Sequence, residues 1–402
     1  MTIGILDFLL AGTGLILLLL ATVLFLEVVS ALTIREPLAP DIEDEAVERK
    51  RLTILVPAHN ESANIAVTLR SITPELGCSD RLIVVAHNCS DDTAAVAAHG
   101  GAEVIVRVDR TRRGKGYALD YGMRFLEGDP PDIVVVVDAD CQLAPGSVDR
   151  LARLCARTDR PVQAMYLMHA TRDAGLRMRI SEFAFLVKNQ VRALGLHQLG
   201  FPCQLMGSGM AFPWKTLNRA TLATGHIVED LKLGIDLACA GAPTAFCPDA
   251  LVNSDFPASS DGIKSQRTRW EHGHIGVILK EAPRLLLQSI VKRDFNLMAL
   301  AIDLSVPPLA LLSLLVAIVW CASFLLYLIQ GSSLPLKLAT MAGILLGLSV
   351  LLSWHRYGRR IVSLGELAFA VLYVFWKVPM YVKFVVARQL DWVRSRRDEK
   401  KT

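Results

Sequence analysis

The sequence predicts an α/β protein with a mostly parallel twisted sheet, to which transmembrane and interfacial helices are joined. Between residues 52 and 256, short runs rich in Val and Ile alternate with stretches of helical periodicity. Long apolar segments flank this region, and polar loops follow the predicted strands. Alternating strands and helices are typical of a parallel sheet covered by helices on both faces, where ligands bind beyond the carboxyl ends of the strands.

Four strands are predicted from apolar, β-branched runs, and three helices from the periodic stretches between them. Ser62, at the end of the first polar loop, is expected to cap the first of these helices. The predicted strands cover residues 52–56, 81–86, 103–108 and 132–137, and the predicted helices cover 62–73, 91–98 and 116–126.

Composition indicates that part of the chain lies in a membrane. The 402 residues are 52% hydrophobic, with a mean hydropathy of +0.39. Residues 8–26, 304–329 and 338–354 are uncharged and close to the roughly 20 residues that cross a bilayer core, so we predict three spans. A signal peptide is the alternative for the first, but a basic n-region is lacking there and the apolar core is too long. Residues 361–387 contain charged residues and are expected to lie on the membrane surface.

Basic residues near the ends of spans stay on the cytoplasmic side. They follow the first span and precede the second, which predicts a multi-pass protein of a bacterial-type inner (plasma) membrane with its middle region in the cytoplasm. A fourth span would place the basic C-terminus outside, against this rule. We expect an anchor at 1–34, a linker at 35–50, an α/β domain at 51–262, interfacial helices at 263–297, and a C-terminal membrane region of two spans and an interfacial helix at 298–402.

Cysteine usage and charge exclude several classes of protein. The eight cysteines form no CxxC pair, which argues against a disulfide framework or a zinc site and favours reduced, buried thiols. The net charge is only +4, and the basic residues lie beside apolar segments, so the lipid bilayer is the expected partner and nucleic acid is not. Residues 175–199 interleave basic and apolar side chains, as helices of the headgroup layer do, with a core helix as the alternative.

Polar loops follow three successive predicted strands. They cover residues 57–62 (PAHNES), 87–93 (HNCSDDT) and 110–116 (RTRRGKG). Any one of them could be an ordinary βα loop. The third is basic and opens a helix, and backbone amides at a helix N-terminus together with Lys and Arg suit phosphate oxygens. It matches neither the Walker nor the Rossmann pattern, which argues against an ATPase or a dehydrogenase.

Two carboxylates, Asp138 and Asp140, follow the fourth predicted strand. Like charges this close raise each other's pKa unless a cation lies beside them. Mg²⁺ binds in proteins through one or two carboxylates together with substrate phosphates. The pair is therefore expected to hold Mg²⁺ or Mn²⁺ against a diphosphate and to neutralise charge as that group leaves. A pair of helix-capping or solvated aspartates explains the triplet equally well by itself.

Six motifs in order carry a family resemblance: PAHNE, the SDDT loop, RGKG, DAD, VED at 228–230 and QRTRW from Gln266 to Trp270. Over about residues 50–275 the chain resembles the family-2 inverting glycosyltransferases, which include cellulose, chitin and hyaluronan synthases and ceramide glucosyltransferase. The resemblance implies a GT-A-like fold, a nucleotide-sugar donor, for which a UDP-sugar is the family default, and a Mg²⁺ or Mn²⁺ cofactor.

The resemblance also implies roles for individual residues. Asp230 would be the general base, with Glu229 beside it, although the two could simply be the acidic first turn of a helix. The metal would be held by Asp140 and Asp138. The implied nucleotide or donor contacts are Pro57, Ala58, Asn60, Glu61, His87, Asp91, Arg113, Lys115, Asp138 and Arg269, and the implied acceptor contacts are Gly207, Ser208, Gly209, Gln266 and Trp270.

Some alternatives remain open at this stage. Arg269 and Trp270 suit a diphosphate and a sugar ring, and they equally suit the anchoring of an interfacial helix. Where many family members have an aspartate that contacts the uracil ring, this chain has His87. Three spans can hardly enclose a polysaccharide channel, unless an oligomer or an export partner supplies the rest.

Three functions follow from these observations. The leading hypothesis is metal-dependent transfer of one sugar to a membrane-bound or lipid-linked acceptor in cell-surface glycan or glycolipid synthesis. The second is a processive polysaccharide synthase. The third is a non-catalytic nucleotide-binding scaffold, which would have no need of repelling carboxylates.

Overall fold

The protein is described by a computed structural model that covers residues 4–34, 49–171, 173–257 and 260–386. Most of the predicted linker and the basic C-terminal residues lie outside these ranges. The described residues form two compact units. The sheet unit consists of residues 49–171, 201–257 and 260–273, and the helical unit consists of residues 4–34, 173–200 and 274–386.

Within the described residues, the sheet unit is built on eight strands in the order β3-β2-β1-β4-β7-β6-β8-β5. The β-branched runs of the sequence form its centre, where strands covered on both faces favour Val and Ile. The strands are β1 (Leu52–Ala58), β2 (Arg81–His87), β3 (Glu103–Arg107), β4 (Ile133–Val136), β5 (Cys141–Leu143), β6 (Val162–His169), β7 (Met210–Pro213) and β8 (Ala245–Asp255).

The strand directions confirm the predicted α/β fold with a mostly parallel sheet. β1 pairs in parallel with β2 and β4, and β2 pairs in parallel with β3. β7 runs antiparallel between β4 and β6. The carboxyl ends of β1, β2 and β4 therefore meet at one edge of the sheet, and the loop that precedes β7 reaches the same edge.

The predicted helices of the sheet region are present with small shifts of their ends. The cap predicted at Ser62 is wrong, because the helix begins at Ile65 and the Ser62 amide donates to Asp91 Oδ2 instead. The helices are α1 (Ile5–Leu32), α2 (Ile65–Ile72), α3 (Thr93–His99), α4 (Lys115–Leu126), α5 (Ser147–Thr158), α6 (Leu176–Leu186), α7 (Ala193–Gln198), α8 (Trp214–Leu217), α9 (Glu229–Cys239), α10 (Ser260–Lys292), α11 (Phe295–Ser305), α12 (Leu309–Gln330), α13 (Leu334–Ser353), α14 (Leu364–Ala368) and α15 (Ala370–Val386).

Three helices of the helical unit are long and apolar enough to cross a membrane: Ile5–Leu32, Leu309–Gln330 and Leu334–Gly358. They match the three predicted spans, with one correction. The second does not begin at Leu304, because α11 ends at Ser305 and the chain turns extended at Val306. The prolines at 307 and 308 explain the break, since a residue before proline disfavours the helical conformation.

A buried ionic cluster lies within the helical unit. Arg192 Nε is 2.7 Å from Glu27 Oε2, and Arg192 Nη2 is 2.5 Å from Asp303 Oδ1. Arg192 ends a π-helical segment, Val187–Arg192, that joins α6 to α7. The prediction that residues 175–199 place their basic side chains among headgroups is therefore wrong for Arg192, which is buried among carboxylates, whereas Lys188 is exposed.

The last two helices pack against α6 in the same unit. Ser363 caps α14 in a capping box with Glu366, and the Glu366 carboxylate accepts a hydrogen bond of 3.1 Å from Arg179 Nη1. Ser181 Oγ and the Tyr373 hydroxyl are 2.9 Å apart. Leu372, Phe375 and other large apolar side chains of this region are exposed. That residues 361–387 lie on the membrane surface stays a prediction.

Candidate active site

The edge of the sheet where β1, β2 and β4 end gathers most of the residues that the sequence singled out. Asp138 lies two residues beyond β4, and its backbone amide donates to Ser208 Oγ over 3.1 Å. The Gly209 amide donates to the Val136 carbonyl over 3.0 Å, which fixes the loop before β7 against the end of β4. Antiparallel β7 thus brings residues 207–209 to the carboxylates.

Asp138 and Asp140 form a group that could hold a metal ion. One ligand atom from each, together with Cys141 Sγ, lies within 4.8 Å of the others. The turn between them is supported by the buried Thr68 hydroxyl, which donates to the Ala139 carbonyl over 2.8 Å. Burial raises the pKa of the Cys141 thiol well above its ordinary value, so the thiol stays protonated. The two carboxylates are therefore the ligands offered to a hard cation.

Lys115, the first residue of α4, connects two of the acidic positions. Its Nζ lies 2.8 Å from Asp138 Oδ1 and 3.3 Å from Asp230 Oδ1. The same Nζ donates to the Gly207 carbonyl. Burial by itself lowers the pKa of Lys115, but Asp138 and Asp230 outweigh it and leave the pKa above its ordinary value. Lys115 is therefore a permanently charged partner of both aspartates.

Asp230 lies in the first turn of α9, beside Glu229. Burial raises the pKa of Asp230 to about 6, and the charges of Lys115 and Arg269 oppose that rise. Burial likewise raises the pKa of Asp138 to about 6, against the opposing charge of Lys115. A carboxylate with a raised pKa accepts a proton from a hydroxyl more readily than a solvated one does, so Asp230 suits the role of a base.

The loop before β7 is shaped by two glycines and one buried amide. Gly207 and Gly209 have φ of 108° and 68°, in the left-handed region that favours glycine. A Cβ on Gly207 would lie 3.1 Å from Asp230 Oδ2. Gln163 is fully buried, donates to the Ser208 carbonyl over 2.9 Å and accepts from the Met206 amide over 2.8 Å. Sequence reasoning missed Gln163, because no local pattern singles it out.

The first two polar loops are bonded to each other. The Asn60 side chain donates to Ser90 Oγ over 3.0 Å and accepts from the Ser90 amide over 2.7 Å. The Glu61 amide donates to Thr93 Oγ1 over 2.8 Å. Asp91 accepts from the Ser62 and Thr93 amides. Asn60 and Asp91 therefore bond the loop after β1 to the loop after β2.

His87 ends β2, where its side chain is buried. Arg107, which ends β3, places its Nη1 3.1 Å from His87 Nδ1 and its guanidinium 5.8 Å from the centre of the Tyr117 ring. Burial, together with the charge of Arg107, lowers the pKa of His87 to about 4. A neutral His87 offers one donor and one acceptor. Arg107 is a second residue that the sequence did not single out.

The remaining predicted residues lie at the end of β1, in the basic loop before α4 and on α10. Pro57 and Ala58 are the last two residues of β1. Arg113 is exposed and its Nε donates to the Arg110 carbonyl, so Lys115 is the basic residue of this loop that reaches the carboxylates. Gln266, Arg269 and Trp270 lie on α10, with Gln266 buried and the other two partly exposed.

Residues 50–273 match the sequence profile of glycosyltransferase like family 2, and this range is more than half of the chain. The chain belongs to glycosyltransferase family 2. This chain is similar in fold to the solved structure of a mannosyltransferase from Pyrobaculum calidifontis in complex with GDP-Man and Mn²⁺. The TM-score between the two is 0.54 and their sequence identity is 17%, and the match covers 94% of this chain and 100% of that one. The likeness confirms the predicted GT-A-like α/β fold.

Two curated relatives are similar over part of their length. An uncharacterized glycosyltransferase of Mycobacterium tuberculosis is 34% identical over 122 residues, which are 29% of this chain and 51% of that protein. Glucomannan 4-beta-mannosyltransferase 7 of Arabidopsis thaliana is 22% identical over 274 residues, 62% of this chain and 47% of that protein. The chain thus spans about half the length of each of these two glycosyltransferases.

In this glycosyltransferase, Gly273 of α10 contacts the loop that leads to Asp230. A Cβ on Gly273 would lie 2.5 Å from Val228 Cγ1 and 3.3 Å from Ile227 Cγ1. Val228 directly precedes Glu229 and Asp230, and its branched side chain has little rotamer freedom. The missing Cβ of Gly273 is therefore what allows α10 to approach the start of α9 so closely.

With Asp230 as the predicted base, we expect Gly273→Ala to lower kcat by about 10- to 100-fold, because a small displacement of a catalytic group is costly. The added methyl pushes Val228 and shifts Asp230. Initial rates of sugar transfer measure the effect. Val228→Ala should restore most of the rate in the double variant, since it removes the crowded atoms. Gly128→Ala is the matched control, because a Cβ there meets nothing within 4 Å; equal losses in both variants would contradict the prediction.

We expect the glycosyltransferase to lose stability between about pH 6.5 and pH 4 through His87. The unfolded chain takes up a proton near the ordinary pKa of 6.5, whereas folded His87 does so only near 4. The unfolded state thus binds more protons in this window, and the free energy of unfolding falls as the pH falls. Thermal denaturation against pH measures it. His87→Gln should flatten the slope, whereas His99→Gln, which alters an exposed histidine, should leave it unchanged.

Proposed function

We propose that this chain is a metal-dependent inverting glycosyltransferase that moves a hexosyl group from a nucleotide-sugar to a membrane-bound or lipid-linked acceptor. The donor in this proposal is a UDP-sugar, and the product belongs to cell-surface glycan or glycolipid synthesis. One observation carries the proposal. Asp138 and Asp230, which come from distant stretches of the chain, both lie within 3.3 Å of the Lys115 ammonium, which comes from a third.

The acidic pair fits a Mg²⁺ or Mn²⁺ ion. Asp138 and Asp140 would hold the ion, which supplies neutralisation of the negative charge on the leaving diphosphate. Lys115 and Arg269 add fixed positive charge on the side of Asp230, and an arginine can bind phosphate oxygens in a bidentate way. Ser208 holds the Asp138 backbone, so the carboxylate is positioned before the donor arrives.

The acceptor hydroxyl must lose its proton as its oxygen attacks the anomeric carbon. Asp230 takes that proton, because its carboxylate is buried, carries a raised pKa and lies beside the Gly207 loop. Glu229 supports it by adding negative charge at the same helix start. Gly207, Ser208 and Gly209 leave room for a sugar close to the backbone, while Gln266 and the Trp270 indole contact the acceptor.

The remaining donor contacts belong to the loops at the ends of β1, β2 and β3. His87 contacts the nucleobase of the donor, in place of the aspartate that is common in the family. The donor pocket in this proposal comprises Pro57, Ala58, Asn60, Glu61, His87, Asp91, Arg113, Lys115, Asp138 and Arg269.

A membrane acceptor is supported by the three candidate spans of the same chain. We place the catalytic domain, residues 51–262, in the cytoplasm, with residues 263–297 at the membrane surface and residues 298–402 forming the C-terminal membrane region. The basic residues around the spans support this orientation. An active site at the membrane surface suits an acceptor that is anchored in the bilayer.

Binding of nucleotides tests the donor. Thermal denaturation of the purified full-length protein with Mn²⁺ and UDP, GDP or dTDP should show the largest stabilisation with UDP, because a ligand that prefers the native state raises the Tm. Replacement of His87 by Asp should strengthen this preference. A larger shift with GDP in the native protein would overturn the assignment of a UDP-sugar.

A processive polysaccharide synthase is the second candidate, favoured by the similarity to the Arabidopsis glucomannan 4-beta-mannosyltransferase. The two candidates differ in product length. Radiolabelled donor incubated with membranes should give a product that organic solvent extracts if one sugar is moved to a lipid. A high-mass product that a glycan hydrolase degrades would support the synthase instead.

A further inference from the structure

Lys115 occupies the position between the carboxylates of the site. Its Nζ lies 2.8 Å from Asp138 Oδ1 and 3.3 Å from Asp230 Oδ1, and it also bonds to the Gly207 carbonyl. Three oxygen atoms, from Asp138, Gly207 and Asp230, thus contact the Lys115 ammonium, and the Lys115 side chain is only 13% exposed. A lysine that merely awaited a phosphate at a solvated loop would have no such set of partners.

The contact has a direct chemical consequence for a divalent ion. Asp138 is one of the two carboxylates that would bind the ion, and one of its oxygens already pairs with the ammonium. A divalent ion at Asp138 and Asp140 would lie close to the Lys115 ammonium in a partly buried site, where the repulsion between the two cations is only weakly screened. A diphosphate removes this repulsion, since it brings negative charge for both cations.

We propose that Lys115 is an internal counter-cation of the acidic centre, so that the divalent ion enters together with the nucleotide diphosphate and not before it. The inference rests on the proposed function. When the diphosphate arrives, the Lys115 ammonium pairs with its oxygens and leaves Asp138 to the ion. The same movement releases Asp230 from its ion pair, so the base becomes available only after the donor is bound.

Binding of Mn²⁺ to the full-length protein tests this inference without any measurement of turnover. Free Mn²⁺ is followed by electron paramagnetic resonance, with and without UDP. The native protein should bind Mn²⁺ weakly alone and about tenfold or more tightly with UDP, and by linkage Mn²⁺ should strengthen UDP binding by the same factor. Lys115→Met should bind Mn²⁺ alone about tenfold more tightly than the native protein does, with a smaller effect of UDP.

Lys115→Arg is the matched variant, because it keeps the positive charge and should leave Mn²⁺ binding in the absence of UDP as weak as in the native protein. Unchanged or weaker Mn²⁺ binding by folded Lys115→Met would overturn the inference. Should Lys115→Met not fold, the native protein still decides: equal Mn²⁺ affinity with and without UDP overturns the inference. Failure of both UDP and GDP to bind the native protein would instead contradict the proposed function.

Discussion

Asp230→Asn is expected to lower kcat by about three orders of magnitude, because general base catalysis contributes up to about 10⁴-fold and an amide cannot take the acceptor proton. The side chain keeps its size, so the contact with the Gly207 loop persists. Donor binding should survive, since Asp138 and Asp140 are unchanged. Initial rates with radiolabelled donor measure the loss, and thermal stabilisation by UDP with Mn²⁺ shows that the donor site is intact.

The matched control for this substitution is Asp236→Asn. Asp236 lies on the same helix as Asp230, is 52% exposed and pairs with Lys232, so its removal should change kcat less than twofold, in keeping with the small effect of surface ion pairs. Turnover that survives Asp230→Asn but is abolished by Asp140→Ala would show that another group is the base.

The second large effect is expected at Arg192. Arg192→Leu leaves the Glu27 and Asp303 carboxylates buried with no positive charge between them, and breaking a buried ion pair in this way costs about 3–5 kcal/mol. Unfolding of the protein in detergent should therefore occur at a markedly lower temperature. The helical unit should be affected most, because all three residues belong to it.

A rescue distinguishes charge from packing at this cluster. Adding Glu27→Gln and Asp303→Asn to Arg192→Leu removes the uncompensated charges, so the triple variant should recover most of the lost stability. Arg124→Leu is the control, since Arg124 is 68% exposed and its partner Asp120 is also partly exposed, so this change should alter stability by less than about 1 kcal/mol. A triple variant no more stable than Arg192→Leu would show that the arginine matters through packing alone.

The sequence was sufficient to predict the four strands β1 to β4 and the end of the sheet where their polar loops meet, but it did not predict β5 to β8. Strands rich in Val and Ile are recognisable because both faces of a central parallel strand are buried. The loops at the ends of β1, β2 and β4 then had to meet, because parallel strands place their carboxyl ends together. Asp138 lies just beyond the end of β4, as this argument predicts, whereas its contact with the nucleotide is implied by the family resemblance and stays a prediction. The roles of the individual residues stay predictions.

The features that sequence reasoning missed depend on contacts between distant stretches. Lys115 was predicted to bind phosphate, but its contact with Asp230 spans 115 positions and leaves no trace in either local pattern. Gln163 and Gly273 are ordinary residues of a strand and a helix until the loops they support are known. The second span was placed too early because its apolar run continues through two prolines that interrupt the helix.

The reversed direction of β7 separates the proposed donor and acceptor residues along the chain. The polar loops between residues 57 and 140 follow the strands that they belong to, whereas residues 207–209 precede their strand. The two groups are therefore encoded by independent stretches. With residues 207–209 in the proposed acceptor role, chimaeras that exchange residues 201–209 between relatives should alter which acceptor is used, which makes this short stretch convenient for engineering.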